Sequence, residues 1–309
     1  MDNGVAADQG VSLVLGPSPV PSWPRRVSGV LYRRPRLRLA GLLVGPMLWL
    51  GLAYLGSLGI LLLSAFWSTD SFTGNIVHQL TLDNVRQIAS DSLYRDVALR
   101  SLAVAAGVTA ICIVVAFPMA LYMSKVAGPR ARRLLVVAVL TPLWASYLVK
   151  AYAWRAMLAG GGVLNWLLSP VGLRGPGFGL TATVVVLSYL WLPFMVLPIY
   201  TGLERLPDSL LDASGDLGAS AGRTVRSVVL PLVVPAIAAG SIFTFSLSLG
   251  DYITVQIVGG KSQLIGNLIS NNVGSANNLP LAAALAMGTV LVMVTYLFAI
   301  RRSGAMDEL

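Results

Sequence analysis

The sequence predicts an all-α membrane protein with six transmembrane helices. Hydrophobic residues make up 56% of the 309 residues and charged residues only 11%, and the mean hydropathy is +0.75. Because an ordinary soluble domain carries about 25% charged residues, a chain of this composition requires lipid as its solvent. Six stretches are apolar over the roughly 20 residues that a spanning helix needs.

The predicted spans are separated by loops that contain most of the charged residues. Pro46 predicts a kink in the long first span. Lys150 and Arg155, near the end of the third span, are expected to extend their charged ends toward the membrane surface. The spans are 38–66, 101–123, 134–156, 180–202, 228–249 and 281–300.

The segments outside the spans define the domain organisation. Residues 1–37 contain several prolines and a basic stretch, and they predict a disordered tail with a basic anchor beside the membrane. A cleavable signal is excluded because the apolar run that follows is too long. The remaining chain divides into the first span with an external loop (38–100), a core domain (101–302) that contains a polar loop at 204–231, and a C-terminal tail (303–309).

The distribution of positive charge predicts the topology. The net charge is +9, but the arginines cluster at the ends of apolar segments, which argues against nucleic acid as a partner. With a cytoplasmic N-terminus, fifteen Lys and Arg residues fall on the cytoplasmic side and seven on the opposite side. The positive-inside rule therefore predicts that both termini and the 204–231 segment are cytoplasmic.

The extracytoplasmic loops differ in character. The loop at 67–100 has apolar residues at helical spacing between Leu82 and Leu99, which predicts short amphipathic helices at the outer surface. The loops at 158–179 and 259–280 are rich in Gly, Asn and Pro, and we expect them to be irregular.

The 204–231 segment differs from an ordinary short loop because it carries helix signals. Pro207 is placed to start a helix, and leucines at 206, 210, 211 and 217 recur roughly at helical spacing. Gly218 provides a position where the chain can bend. The segment then enters the fifth span through Leu230 and Pro231. It is predicted to lie along the membrane face and to transmit force from whatever docks on it.

The chain offers little for catalysis, metal binding or nucleotide binding. His78 is the only histidine and Cys112 the only cysteine, so neither a histidine-based metal cluster nor a disulfide framework is available. Gly260, Lys261 and Ser262 resemble the end of a phosphate-binding loop, but Val255 stands where that motif requires glycine. We therefore predict no catalytic residue, no metal site and no cofactor bound by this chain.

One motif in the 204–231 segment carries a family resemblance. The membrane subunits of binding-protein-dependent ABC importers have a loop with Glu-Ala-Ala, three residues, Gly, nine residues and Ile-x-Leu-Pro. This sequence is similar to that loop at every spacing, with Asp for Glu, Ser for the second Ala and Val for Ile. The matching residues are Asp212, Ala213, Ser214, Gly218, Val228, Leu230 and Pro231.

Further stretches resemble the spermidine/putrescine subfamily of these permeases. They are 189–195, 203–207 and 246–254, and the likeness covers roughly residues 80–300. Val255 departs from the pattern, because the subfamily is expected to have proline there.

The resemblance implies a type I ABC importer transmembrane-domain fold in the bacterial inner membrane. It also implies four kinds of partner: a cytoplasmic ABC ATPase dimer that docks on the 204–231 segment and uses ATP, a second and different permease subunit, a periplasmic binding protein, and the lipid bilayer. The chain would be a transport subunit without an ATPase motif of its own, and its cargo a polyamine or related cationic amine.

The residues themselves suggest a substrate path. An ionisable residue at the end of a span is costly and is a functional candidate by default. Asp251 has this position, beside Tyr252. The aromatic residues around it are Tyr189 and Trp191 on the fourth span and Trp144, Tyr147, Tyr152 and Trp154 on the third. A carboxylate among aromatic rings suits a cationic amine. The alternative is an ordinary interfacial aromatic belt, with Asp251 solvated or capping a helix.

Other functions stay open at this point. Related permeases carry other small organic solutes or iron. An ATPase-independent secondary transporter would predict inverted repeats and interrupted helices at matching positions, and the sequence shows neither. A membrane-embedded enzyme would need a cluster of catalytic groups at one depth. A structural or assembly subunit would copurify with partners without contributing to uptake.

Overall fold

The computed structural model describes residues 35–70 and 73–302. Most of the predicted N-terminal tail and all of the C-terminal tail, 303–309, lie outside the described residues. The described residues up to Ile60 form one compact unit, and those from Leu61 form a second.

The first unit and the beginning of the second contain an apolar helix and a small ribbon. Helix α1 (Pro35–Trp49) passes through a π-helical turn (Leu50–Leu55) into α2 (Gly56–Ser64). The departure from α geometry begins four residues after Pro46, which lacks the N–H that a helix interior requires. Strands β1 (Ser68–Thr69) and β2 (Ile76–Val77) pair antiparallel, with Ser68 opposite Val77 and Thr69 opposite Ile76.

The second unit is a helical bundle whose elements follow in chain order. They are α3 (Asp83–Ser90), α4 (Ser92–Leu121) with a π-helical end (Tyr122–Val126), α5 (Pro129–Trp144), α6 (Tyr147–Leu158), α7 (Val163–Leu168) with a 3₁₀ turn (Ser169–Val171), α8 (Leu180–Glu204), α9 (Asp208–Asp216), α10 (Ala221–Thr224) with a π-helical turn (Val225–Val229), α11 (Leu230–Leu249), α12 (Ile253–Val258), α13 (Ile265–Gly274) and α14 (Leu279–Arg302).

This architecture confirms the all-α membrane fold. Within the described residues, five helical stretches are long and apolar enough to cross a membrane, and a sixth is obtained if the bent pair α5–α6 is one span. The five are Gly41–Ser64, Ser92–Val126, Leu180–Glu204, Ala221–Leu249 and Leu279–Arg302.

The third predicted span is not one straight helix. Helices α5 and α6 are bent by 96° at Ala145 and Ser146, where the backbone is extended. Arg155, near the end of α6, is exposed; its guanidinium donates to the Ile257 carbonyl at 3.0 Å and lies over the Phe178 ring. One straight helix and two helices joined at a bend need the same apolar composition over 134–156. The sequence pattern therefore does not reveal the break.

The loops contain more helix than expected. Helix α3 confirms one short helix in the outer loop, but the second expected surface helix is the beginning of α4, which starts nine residues before the predicted span. The expectation of irregular loops was wrong for α7 and α13. Helix α13 is stabilised by packing on its neighbours: the Ile265 amide donates to the Ser101 hydroxyl at 2.8 Å.

The core lies where α4, α8 and α11 pack together. Helix α4 presents a stripe of buried residues spaced by four positions, which places them on one helix face. Small side chains in this stripe allow close approach of the neighbouring helices. The stripe is Val104, Val108, Cys112, Ala116 and Ala120.

Helices α8 and α11 approach most closely at two glycines. A Cβ added at Gly202 would lie 2.7 Å from the Ala236 Cβ, and one added at Gly240 would lie 2.7 Å from the Met195 sulfur. At Gly202 the Ala236 Cβ can move only with its backbone, whereas at Gly240 the flexible Met195 side chain would have to shift and its Cα would still lie 3.2 Å away. These two helices flank the 204–231 segment, so their contact determines where the segment leaves and re-enters the bundle.

Replacing Gly202 with valine is expected to separate α8 from α11 and to lower stability. Overpacking of this kind costs about 1–3 kcal/mol, so the midpoint of thermal unfolding in detergent should fall. The control is Gly107→Val in α4, where an added Cβ meets no atom within 4 Å. Equal midpoints for the two variants would contradict the close contact.

Candidate functional site

The 204–231 segment is a short helical hairpin between two long helices. Helix α8 ends at Glu204, and α9 begins at Asp208 directly after Pro207, as the sequence predicts. The chain then reverses at Gly218, whose φ of +75° lies in the left-handed region that favours glycine. After α10, a π-helical turn leads into α11, which has Pro231 in its first turn.

The predicted docking residues lie mainly on the outside of this hairpin. Asp212, Ala213, Gly218, Leu230 and Pro231 are exposed, whereas Ser214 and Val228 are half-buried. The Ser214 and Thr224 hydroxyls are 2.8 Å apart and join α9 to α10.

An apolar side chain stands at the tip of the hairpin. Leu217, which lies between Asp216 and the turn at Gly218, is 89% exposed. The inner side of the hairpin is anchored differently, because Leu206 is buried and Leu211 packs against the core. The hairpin therefore presents a largely polar surface from which Leu217 protrudes most, while Leu210 and Leu230 are exposed to a smaller extent.

Two cations from the α4–α5 connection hold the start of the hairpin. The Lys125 ammonium donates to the Leu206 carbonyl and to the Asp208 carboxylate, both at 2.7 Å. This hydrogen bond and the positive charge hold the pKa of the Asp208 carboxyl below its usual range. Arg132 contacts Glu204 at 3.6 Å. In the sequence these cations indicate only topology, because no spacing links residues so distant in the chain.

Asp251 forms the centre of the second candidate site. Its side chain is buried, with 7% of the residue exposed. Oδ1 accepts the Thr254 amide at 2.8 Å, while Oδ2 accepts the Tyr147 hydroxyl and lies 3.2 Å from the Thr254 hydroxyl. In the part of the chain that the structure describes, no Lys or Arg nitrogen forms an ion pair with Asp251.

The carboxylate borders a cavity of about 280 Å³ with aromatic walls. The rings of Tyr147 and Trp191 stack with centroids 5.9 Å apart. The Trp191 indole N–H is buried without a hydrogen-bond partner. The lining residues are Tyr147, Trp191, Ser246, Leu247, Gly250, Asp251, Tyr252 and Ile253.

The structure brings three of the four predicted path residues together. Asp251, Tyr252 and Trp191 line the same cavity, but Tyr189 does not. Tyr189 is two positions from Trp191 on α8 and so points to a different helix face. It packs edge-on against Trp154, with centroids 5.4 Å apart.

Neighbouring elements fix the turn that carries Asp251. The Asn267 amide donates to the Tyr252 carbonyl at 3.1 Å, and a Cβ at Gly266 would lie 3.0 Å from the Asp251 carbonyl. Thr254 and Asn267 were missed by the sequence analysis. The Asp-x-x-Thr spacing is the one available signal, since a side-chain oxygen before a helix accepts amides of its first turn.

The arrangement suits a bound cation more than covalent chemistry. A buried carboxylate beside stacked rings offers ion pairing and cation–π contact. Among the described residues, no three His, Cys, Asp or Glu side chains lie close enough to share a metal ion.

Comparison with known sequences identifies a family. Residues 113–301 match the model of the binding-protein-dependent transport system inner membrane component. The chain is 44% identical over 299 residues to the inner membrane ABC transporter permease protein YdcU of Escherichia coli K12, covering 92% of this chain and 95% of that protein. It is 30% identical over 249 residues to the spermidine/putrescine transport system permease protein PotB of Haemophilus influenzae, covering 79% and 86%.

Solved structures share the fold. The chain superposes on a bacterial ABC transporter for alginate, in complex with a periplasmic protein bound to alginate pentasaccharide, with a TM-score of 0.67 and 17% identity over 89% of this chain and 96% of that one. It superposes on the MetNI methionine ABC transporter with a TM-score of 0.52 and 18% identity over 66% and 91%. The chain therefore belongs to the inner membrane components of binding-protein-dependent transport systems, the permease subunits of ABC importers, and has their type I fold.

Proposed function

We propose that this permease moves a small cationic amine of the polyamine class and is driven by a separate ATPase that docks on the 204–231 segment. The observation that carries the coupling part is the hairpin itself. Its exposed face includes Asp212, Ala213 and Leu217, and its two ends continue directly into the spanning helices α8 and α11. Force applied to the hairpin therefore acts on two spans at once.

The mechanism that follows is alternating access. Closure of a cytoplasmic ATPase dimer displaces the hairpin, and α8 and α11 move with it. In this proposal both chain termini are cytoplasmic, ATP is bound and hydrolysed by the ATPase, and this chain binds no cofactor. A different permease chain completes the pathway, and a periplasmic binding protein delivers the substrate to the outer loops.

Two observations support the polyamine class. Asp251 is a buried carboxylate that forms no ion pair with Lys or Arg among the described residues, and it borders a cavity walled by Tyr147 and Trp191. A protonated amine satisfies the carboxylate by ion pairing and the rings by cation–π contact. Relatives named as spermidine/putrescine permeases match over most of this chain.

The cavity also limits what this chain contributes. One carboxylate neutralises one positive charge, whereas a polyamine carries two or more. In this proposal the second permease provides the carboxylates or carbonyl groups that contact the remaining positive charges of the polyamine. Permeases for other small organic solutes or for iron are the alternative, and uptake measured against a panel of radiolabelled solutes distinguishes the two.

Substituting Gly218 with valine is expected to weaken coupling to the ATPase. A β-branched residue at a φ of +75° costs about 1–2 kcal/mol, so the hairpin turn should shift. We expect the ATPase activity stimulated by loaded binding protein to fall roughly fivefold or more in reconstituted proteoliposomes. Gly222→Val, on α10 with open space around it and an ordinary φ, is the matched control. Wild-type stimulation in an assembled Gly218→Val complex would contradict the coupling role.

Neutralising Asp251 is expected to impair uptake of the cation. Asp251→Asn keeps the shape and the helix-capping oxygen but removes the charge, and losing a charged partner should lower putrescine uptake by about tenfold. Asp96→Asn, an exposed acid in the outer part of α4, is the control. Both variants should assemble and hydrolyse ATP. Undiminished putrescine uptake by Asp251→Asn would remove Asp251 from the path.

A further inference from the structure

Lys125 makes an unusual connection between two parts of the bundle. It lies in the π-helical end of α4, yet its ammonium contacts the Leu206 carbonyl and the Asp208 carboxylate across the bundle, both at 2.7 Å. The side chain of Lys125 is only 13% exposed, whereas that of Asp208 is 78% exposed. The cation is therefore largely withdrawn from water and is held by these two oxygens.

Both acceptors are placed where a cation has most effect. Leu206 lies two residues past the end of α8, beside the negative end of that helix, where a cation is favourable. Asp208 is in the first turn of α9, where an acid is favourable. Lys125 therefore joins the end of one helix to the beginning of the next at the corner where the hairpin starts.

A second cation reinforces the same corner. Arg132, on α5, donates to the Met123 carbonyl at 3.1 Å and to the Ser124 carbonyl at 2.6 Å, which ties α5 to the end of α4. The same guanidinium lies 3.6 Å from the Glu204 carboxylate at the end of α8. Two side chains thus connect the end of α4, the start of α5, the end of α8 and the start of α9.

These contacts matter because the chain itself does not connect α9 to α4 or α5. Helix α9 is covalently joined to α8 and, through α10, to α11. Apolar packing of Leu211 against the core resists separation but is not directional. Hydrogen bonds have a preferred distance and angle, so Lys125 fixes the direction of α9 relative to α4.

We propose that Lys125 is a positioning residue that makes α9 move together with the end of α4 and the start of α5, so that displacement of the hairpin reaches spans that do not directly adjoin it in the chain. This inference rests on the proposed function, since it assumes that an ATPase displaces the hairpin. It adds α4 and α5 to the helices α8 and α11 that move when the hairpin is displaced.

The first test uses Lys125→Met, which keeps an apolar stem of similar length but removes the charge. The variant is assembled with the ATPase and second permease subunits of the complex and reconstituted in proteoliposomes. Putrescine transported per ATP hydrolysed should fall by about tenfold, the change expected from losing hydrogen bonds to a charged group. Lys125→Arg should retain most of the coupling. Arg133→Met is the control, because Arg133 is exposed and bonds only within its own helix.

A reversible cross-link between positions 125 and 208 distinguishes a positioning role of Lys125 from a purely structural one. Lys125→Cys and Asp208→Cys are combined in a Cys112→Ala background, which removes the natural cysteine. Without a bridge the double variant should be uncoupled, and a short reducible thiol cross-linker between the two positions should restore transport per ATP. Reduction of the cross-link should return transport per ATP to the low value of the unlinked double variant.

The outcomes are distinct for the two proposals. If the wild-type complex shows no ATPase stimulation by loaded binding protein, the proposed function fails. If the wild type is stimulated but Lys125→Met couples normally, or if the bridge does not form or blocks transport, the positioning role of Lys125 is overturned.

Discussion

The close contact between α8 and α11 is the constraint on which the rest of the structure depends. Gly202 against Ala236 and Gly240 against Met195 allow two backbones to approach where a side chain would clash. In lipid, such van der Waals contact replaces the hydrophobic effect as the source of helix association. Because the hairpin leaves from one of these helices and returns into the other, its ends are kept together by the contact.

The two candidate sites are linked through the same pair of helices. Trp191 is on α8, and Asp251 follows the end of α11, so two residues that line the aromatic cavity lie on or next to helices that also support the hairpin. Any movement of α8 relative to α11 changes the distance between the indole and the carboxylate. The geometry therefore connects the proposed docking surface to the cavity beside Asp251 through the same two helices.

Sequence reasoning succeeded where composition or local spacing carries the information. The requirement for about 20 apolar residues identified the spans, and Pro207 and Gly218 marked the hairpin correctly. It failed where tertiary packing decides. Nothing local reveals that Lys125 meets Asp208, that Tyr189 and Trp191 face different neighbours, or that the chain turns at Ser146 rather than continuing straight. These features depend on which helix face meets which partner.

The 96° bend between α5 and α6 has a consequence for hydration. The last carbonyls of α5 and the first amides of α6 lack partners within their own helices, and hydrocarbon supplies none. Such a break is tolerated only where it meets protein or water. Where the pair α5–α6 lies within the bilayer, the side that carries the bend, at which Trp144 is 91% exposed, therefore faces water or protein rather than the acyl chains.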